Sequence, residues 1–200
     1  VPAADILRPW ASTLSQKLVT DLNGDVRGNC LLGSKGVIQN TLTLTGELDS
    51  GSGSLDAREW LGGIAPYLGK RQDLMDISFN SLSHNMRLEK GRYMVENIEI
   101  DGLETQWQGN GSLGLDGTID LGINVKLPQG FTPELGQWSF LADTLRDKDG
   151  RINLDLRLSG MASKPQVGLN LGSLQDAAGG KTGEAVKKGL GGLLDKWKNR

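Results

Sequence analysis

The stretch GNGSLGLDGTIDLGINVKL, Gly109 to Leu127, decides how this chain is read. Its first six residues satisfy G-x-G-x-x-G, the spacing of a dinucleotide-binding turn, which requires a helix opening directly after the glycines. In place of a helix, Ile119, Leu121, Ile123, Val125 and Leu127 alternate with polar residues or glycine, the period of a half-buried strand. No helix N-terminus stands ready for a phosphate. Glycine makes up 29 of the 200 residues, so the spacing also arises by chance. Gly109 and Gly111 share the parity of Leu103, Trp107, Leu113 and Leu115 and fall on the apolar face of a long strand. Missing side chains there let the strand bend or a neighbour approach closely.

Working outward, parity sets the turns, because residues opposite each other in an antiparallel pair point to one face. Lys90-Gly91 is a two-residue loop that sets Leu88 opposite Tyr93. Asp101-Gly102 reads the same way between Ile100 and Leu103. A three-residue loop, Asp116 to Thr118, pairs Leu115 with Ile119 and Leu113 with Leu121. The apolar parity flips between Val95 and Ile98, which predicts a bulge near Glu96-Asn97. It also shifts between Ile77-Phe79 and Met86-Leu88 within the preceding strand. Downstream, RINLDLRLSG and PQVGLNL alternate as two further strands, after a connection with one helical stretch at 133–145.

Before this segment the pattern is mixed. Leu7, Trp10, Leu14 and Leu18 predict an N-terminal helix over about residues 5–20, with Pro9 in its first turn. Val26, Cys30 and Leu32, then Leu42, Leu44 and Leu48, mark half-exposed strands. SGSGS at 50–54 reads as a flexible connection, and 56–67 as a short helix with Asp56 as N-cap. The fold class is mainly β with a few helices (α+β), a curled antiparallel meander with one apolar face. Residues 1–180 form one β-rich domain, and 181–200 a basic amphipathic tail. That tail brings Val186, Leu190, Leu193, Leu194 and Trp197 to one helical face, with six basic residues against two acidic ones. The stripe suits docking on the sheet, a partner protein or a membrane surface.

Several functions are disfavoured. A net charge of −2 and a pI near 5.5 argue against nucleic-acid binding. Cys30 is the single cysteine, so an intramolecular disulfide or a CxxC metal site is excluded. His84 is the single histidine, and no G-x-S-x-G elbow accompanies it. The carboxylates Glu96, Glu99, Asp101, Glu104, Asp116 and Asp120 fall at turns or on polar strand faces. A glycosidase would need two of them facing across a cleft. No catalytic residue, cofactor or metal is expected.

Residues 82–128, LSHNMRLEKGRYMVENIEIDGLETQWQGNGSLGLDGTIDLGINVKLP, resemble the C-terminal region of the AsmA family of bacterial envelope proteins. INLDLRLSGMASKPQVGLNL resembles the family's ending, a strand, a G-and-P step and a final short strand before a basic tail. NCLLGSKGVIQNTLTLTGELDSGSGSLDAREWLGGI fits an earlier repeat of strand, hairpin, strand and short helix. The resemblance implies a periplasmic module anchored in the inner membrane through a segment outside this chain. It also implies kinship with β-groove proteins thought to carry phospholipid between membranes, and a part in outer-membrane assembly.

The expectation is a non-enzymatic module that binds acyl chains of phospholipid or another lipid on its apolar face. The lipid-facing candidates are Ile98, Ile100, Leu103, Trp107, Leu113, Leu115, Ile119, Leu121, Ile123, Val125, Ile152, Leu154, Leu156 and Leu158. The alternative is a closed-core capping or protein-interaction domain of a larger envelope protein, which the same residues would build if packed together.

Overall fold

A computed structural model of the chain describes residues 1–8, 15–38, 41–62, 71, 74–132 and 145–169. Along the chain come α1 (Ala3–Leu7), β1 (Leu18–Val19), β2 (Leu22–Asn29), β3 (Leu32–Gly33), β4 (Gly36–Val37), β5 (Thr43–Ser50) and β6 (Gly53–Asp56). The remaining elements are α2 (Arg58–Leu61), β7 (Asp76–Glu89), β8 (Arg92–Gly102), β9 (Gln106–Gly114), β10 (Thr118–Lys126), β11 (Asn153–Met161) and β12 (Lys164–Leu169). From β7 to β12 each strand pairs antiparallel with the next, so this half is a meander. On the other side of β7, β5 runs beside Leu82–Leu88 and β6 beside Asp76–Phe79. Thus β5 and β6 act as one long strand kinked at Gly51-Ser52, flanked in turn by β2 and β1. The stretch expected to be a flexible connection is that kink.

The sheet curls because small residues face large ones across neighbouring strands. Leu121 lies opposite Gly111, and a Cβ at Gly111 would sit 2.2 Å from the Asp120 carbonyl and 2.7 Å from Leu121 Cδ2. Leu44 covers Gly28 in the same way, with its Cδ2 2.4 Å from where a Cβ would stand. Each glycine leaves a gap on the inner face that the neighbouring aliphatic fills, which draws the strands inward. This is the structural role of GNGSLG.

Two turns and two strand irregularities can be compared with their sequence patterns. Lys90 and Gly91 both have positive φ (51° and 73°), and Leu88 pairs with Tyr93, the expected two-residue hairpin. The β8 bulge falls between Val95 and Ile98, where Asn97 has φ 53° and its amide donates to Asn110 Oδ1 at 2.7 Å. The parity shift in β7 is an irregularity between Phe79 and Ser81. The β9–β10 loop has three residues, but they are Leu115 to Gly117, and Ile119 pairs with Leu113 rather than Leu115. Because the slip is two residues, every side chain keeps its predicted face.

Other expectations are corrected. The β8–β9 hairpin pairs Ile100 with Trp107 and Asp101 with Gln106, so four residues, 102–105, form the loop. Gly102 remains paired to Phe79 of β7, and the buried Thr105 Oγ1 accepts from Trp107 Nε1 at 2.8 Å. These contacts override the Asp-Gly turn signal and push Leu103 out to 67 % exposure. Of the N-terminal helix expected over about residues 5–20, α1 covers Ala3–Leu7, residues 9–14 lie outside the described residues, and Leu18-Val19 pair with Leu55 and Ser54 as strand β1 instead of continuing a helix. A non-local ladder there outweighs the helical spacing of Leu14 and Leu18. The helix at 56–67 is described only as α2, Arg58–Leu61. Its N-cap is Ala57 and not Asp56, although Asp56 Oδ1 accepts from the Arg58 amide at 3.1 Å. Residues 133–144 and the tail 181–200 lie outside the described residues.

The main core gathers Leu22, Phe79, Trp107, Val125, Leu127, Ile152 and Leu158 with Trp60 and Leu61 of α2. Trp60 Nε1 donates to the Ala162 carbonyl at 3.2 Å, fastening α2 to the β11–β12 turn. That contact draws the two sides of the curl together over the core.

Candidate functional site

The expected lipid-facing row divides into three groups. Ile100, Trp107, Ile119, Leu121, Val125, Ile152, Leu154, Leu156 and Leu158 are buried in the main core, with exposures from 0 to 8 %. They face one another and the helices, so they form packed interior and not an open groove. Ile98, Leu113, Leu115 and Ile123 are half-buried. Leu103 stands in solvent on the β8–β9 loop. The tail candidates Val186, Leu190, Leu193, Leu194 and Trp197 lie outside the described residues.

The half-buried members lead to a second, smaller cluster. Leu48 on β5, Met86 and Leu88 on β7, and Tyr93 and Val95 on β8 are buried together. Leu42, Leu44, Ile98, Leu113 and Leu115 pack against them but stay half-exposed. The ladders explain the grouping: Leu44 pairs with Leu88, Leu88 with Tyr93, and Tyr93 with Leu113. Beyond Leu44, Val26 of β2 lies opposite Gly46 on the same face and is 45 % exposed. The inner face is therefore buried at Trp107, Ile119, Leu121, Val125 and along β11, and opens toward Leu113, Leu115, β5 and β2. This opening, the mouth of the curl, is the candidate site.

One polar pair sits inside it. His84 shares the inward parity of Leu82, Met86 and Leu88 on β7, and its Nε2 lies 2.6 Å from Tyr93 Oη. The ring planes meet at 65° with centroids 6.1 Å apart. Burial lowers the His84 pKa from 6.5 to about 4 and pushes the Tyr93 hydroxyl up, so both stay neutral near pH 7. A neutral pair sharing one hydrogen bond adds no charge to the apolar mouth. Outside it, Arg92 binds Ser112 Oγ from Nη2 at 2.6 Å and Thr118 Oγ1 from Nη1 at 3.2 Å, closing the opposite face of the hairpins.

Among the described residues no three His, Cys, Asp or Glu side chains gather as metal ligands would. A shallow depression of about 170 Å³ on the outer face is lined by Glu99, Asp101, Gln106, Gln108, Asn124 and Lys126. Glu99 and Asp101 project side by side from one strand there. The mouth presents aliphatic side chains around the His84–Tyr93 pair.

The sequence signal for this site was present in part. Leu42, Leu44 and Leu48 alternate plainly, and Met86, Leu88, Tyr93 and Val95 mark strand faces. Nothing local distinguishes them from the sealed row, because coverage depends on which strands the curl brings overhead. Searches with family models, curated proteins and solved structures found no match for the chain.

Proposed function

We propose that this chain is a non-enzymatic module of an AsmA-like envelope protein that takes a lipid acyl chain at the half-open mouth of its curled sheet. The carrying observation is the continuous run of half-buried aliphatics, Leu42, Leu44, Ile98, Leu113 and Leu115, around a small buried cluster. Filling the mouth with a hydrocarbon would remove this apolar surface from water, at about 25 cal/mol per Å². The neutral state of His84 and Tyr93 supports the reading, since an ion there would oppose an acyl chain. With the resemblance in the meander and its ending, the proposed setting is the periplasm, anchored to the inner membrane, in phospholipid transport and outer-membrane assembly.

A second reading is favoured by the sealed row on β10 and β11. Ile152, Leu156 and Leu158 are 0 to 2 % exposed, and Trp60 ties the two sides of the curl together. A domain so closed suits capping or protein interaction within a larger envelope protein. Native mass spectrometry of the protein purified from bacterial envelope, followed by lipid extraction, separates the two. Stoichiometric phospholipid that is lost in folded Leu44→Asp and Leu115→Asp variants supports the mouth. A lipid-free, stable monomer supports the capping reading.

A further inference from the structure

The β3–β4 hairpin forms a two-stranded sheet of its own, apart from the curl. It leaves the main sheet where Asn29 of β2 pairs with Thr43 of β5, beside the mouth. Leu31 is 63 %, Leu32 75 % and Ile38 41 % exposed, an unusual concentration of aliphatic surface in eight residues. Their exposure is built in. The Ile38 amide donates to the Leu31 carbonyl at 2.9 Å, the Leu31 amide to Thr41 Oγ1 at 2.9 Å, and Thr41 Oγ1 to the Ile38 carbonyl at 2.7 Å. A clamp at its base thus holds the finger in shape with its aliphatics outward.

We propose that this finger inserts into the surface of a bilayer containing anionic lipid. Charge selects that occupant. Between Val26 and Gly46 the chain carries Arg27 and Lys35 and no carboxylate, although the whole protein has a net charge of −2. Lys35 stands in the turn between β3 and β4, next to the apolar tip. Leucines at the acyl boundary and a lysine reaching back to the headgroups satisfy both kinds of side chain at a membrane interface. An anionic leaflet adds attraction for each cation near its surface. The inference is independent of acyl binding in the mouth, since it uses residues of the finger and Arg27 on β2 and none of the mouth's aliphatics.

The test is flotation of the full chain with phosphatidylcholine vesicles, with and without phosphatidylglycerol. The protein should float with the anionic vesicles and remain behind with pure phosphatidylcholine, and added salt should weaken the binding. The double variant Leu31→Asp/Leu32→Asp should lose on the order of tenfold or more in vesicle affinity, and Lys35→Glu a smaller amount. Both should keep the wild-type unfolding midpoint, because these side chains stand largely in solvent. Leu44→Gln, in the mouth, should float as the wild type does, so failure of acyl binding is told apart from failure of the finger. Deletion of 181–200 should leave a component of binding that Leu31→Asp/Leu32→Asp abolishes. The proposal is overturned if the protein ignores anionic vesicles or if the double variant binds unchanged. It is equally overturned if the finger mediates only self-association, seen as a dimer that the double variant dissolves.

Discussion

The β10–β11 side of the curl and its β2–β5 side are built from the same alternating pattern, yet one is sealed and the other open. Leu158 and Leu44 each sit at an inward position of an antiparallel strand. Leu158 is 1 % exposed, whereas Leu44 remains half-exposed beside Val26 at 45 %. Leu158 belongs to the main buried cluster with Trp60, Leu61 and Phe79, and Leu44 lies near the edge strand β2, seven of whose eight residues are exposed. Alternation settles which way a side chain points. Coverage comes from distant parts of the chain, and function follows coverage.

The most direct way to break this contrast is to truncate one leucine on each side. Leu158→Ala should destabilise the protein by about 2–5 kcal/mol, the transfer and cavity loss of a packed core leucine. Leu44→Ala should cost roughly 1 kcal/mol or less, since much of its surface is already in water. Urea unfolding of both variants measures the difference, and equal losses would mean that the mouth is as tightly packed as the core.

Acid should find the open side next. His84 has a pKa near 4 in the fold against 6.5 when unfolded, so the unfolded chain binds its proton first as pH falls. The stability contributed by keeping His84 neutral is therefore fully present above pH 6.5, declines from there toward pH 4, and is lost below it. The shift corresponds to at most about 3 kcal/mol. His84→Phe should flatten the stability–pH curve across that window while leaving any steeper carboxylate-driven loss at lower pH. An unchanged slope would mean that His84 reaches water in the fold.

Glycines sharpen the comparison at smaller scale. Gly111 faces inward under Leu121, and Gly122 faces outward with its nearest would-be contact 3.9 Å away. Gly111→Ala should cost about 1–3 kcal/mol through overpacking. Gly122→Ala should stay within roughly 0.5 kcal/mol of wild type. Thermal unfolding of the pair reads out the curl directly: if Gly111 tolerates a methyl group as readily as Gly122, close approach does not shape the sheet.

What was legible in the sequence was whatever the local chain encodes. The Lys90-Gly91 hairpin, the bulge at Glu96-Asn97 and the faces of β7 to β11 come from parity and turn chemistry within a few residues. What was hidden depends on partners far along the chain. Leu18 became a strand residue because Leu55 pairs with it. The sealed state of Ile119 and Leu158, and so the site's shift from them to Leu42 and Leu44, required the sheet to curl and Trp60 to reach Ala162. The finger was hidden for a related reason: Leu32 continued an apolar parity, and parity is silent on whether anything covers it.

Leu103 gives the smallest expected effect and the cleanest check of register. A two-residue Asp101-Gly102 turn would place it inward opposite Ile100, where replacement by serine should cost several kcal/mol. With Ile100 paired to Trp107 it lies in solvent at 67 % exposure, and its amide donates to the Ser78 carbonyl at 3.1 Å. Serine keeps that amide and removes only exposed hydrocarbon, so Leu103→Ser should shift stability by no more than about 0.5 kcal/mol. A large loss in urea unfolding would return Leu103 to the inner row, shorten the loop, and move the partner of every β9 residue along β8.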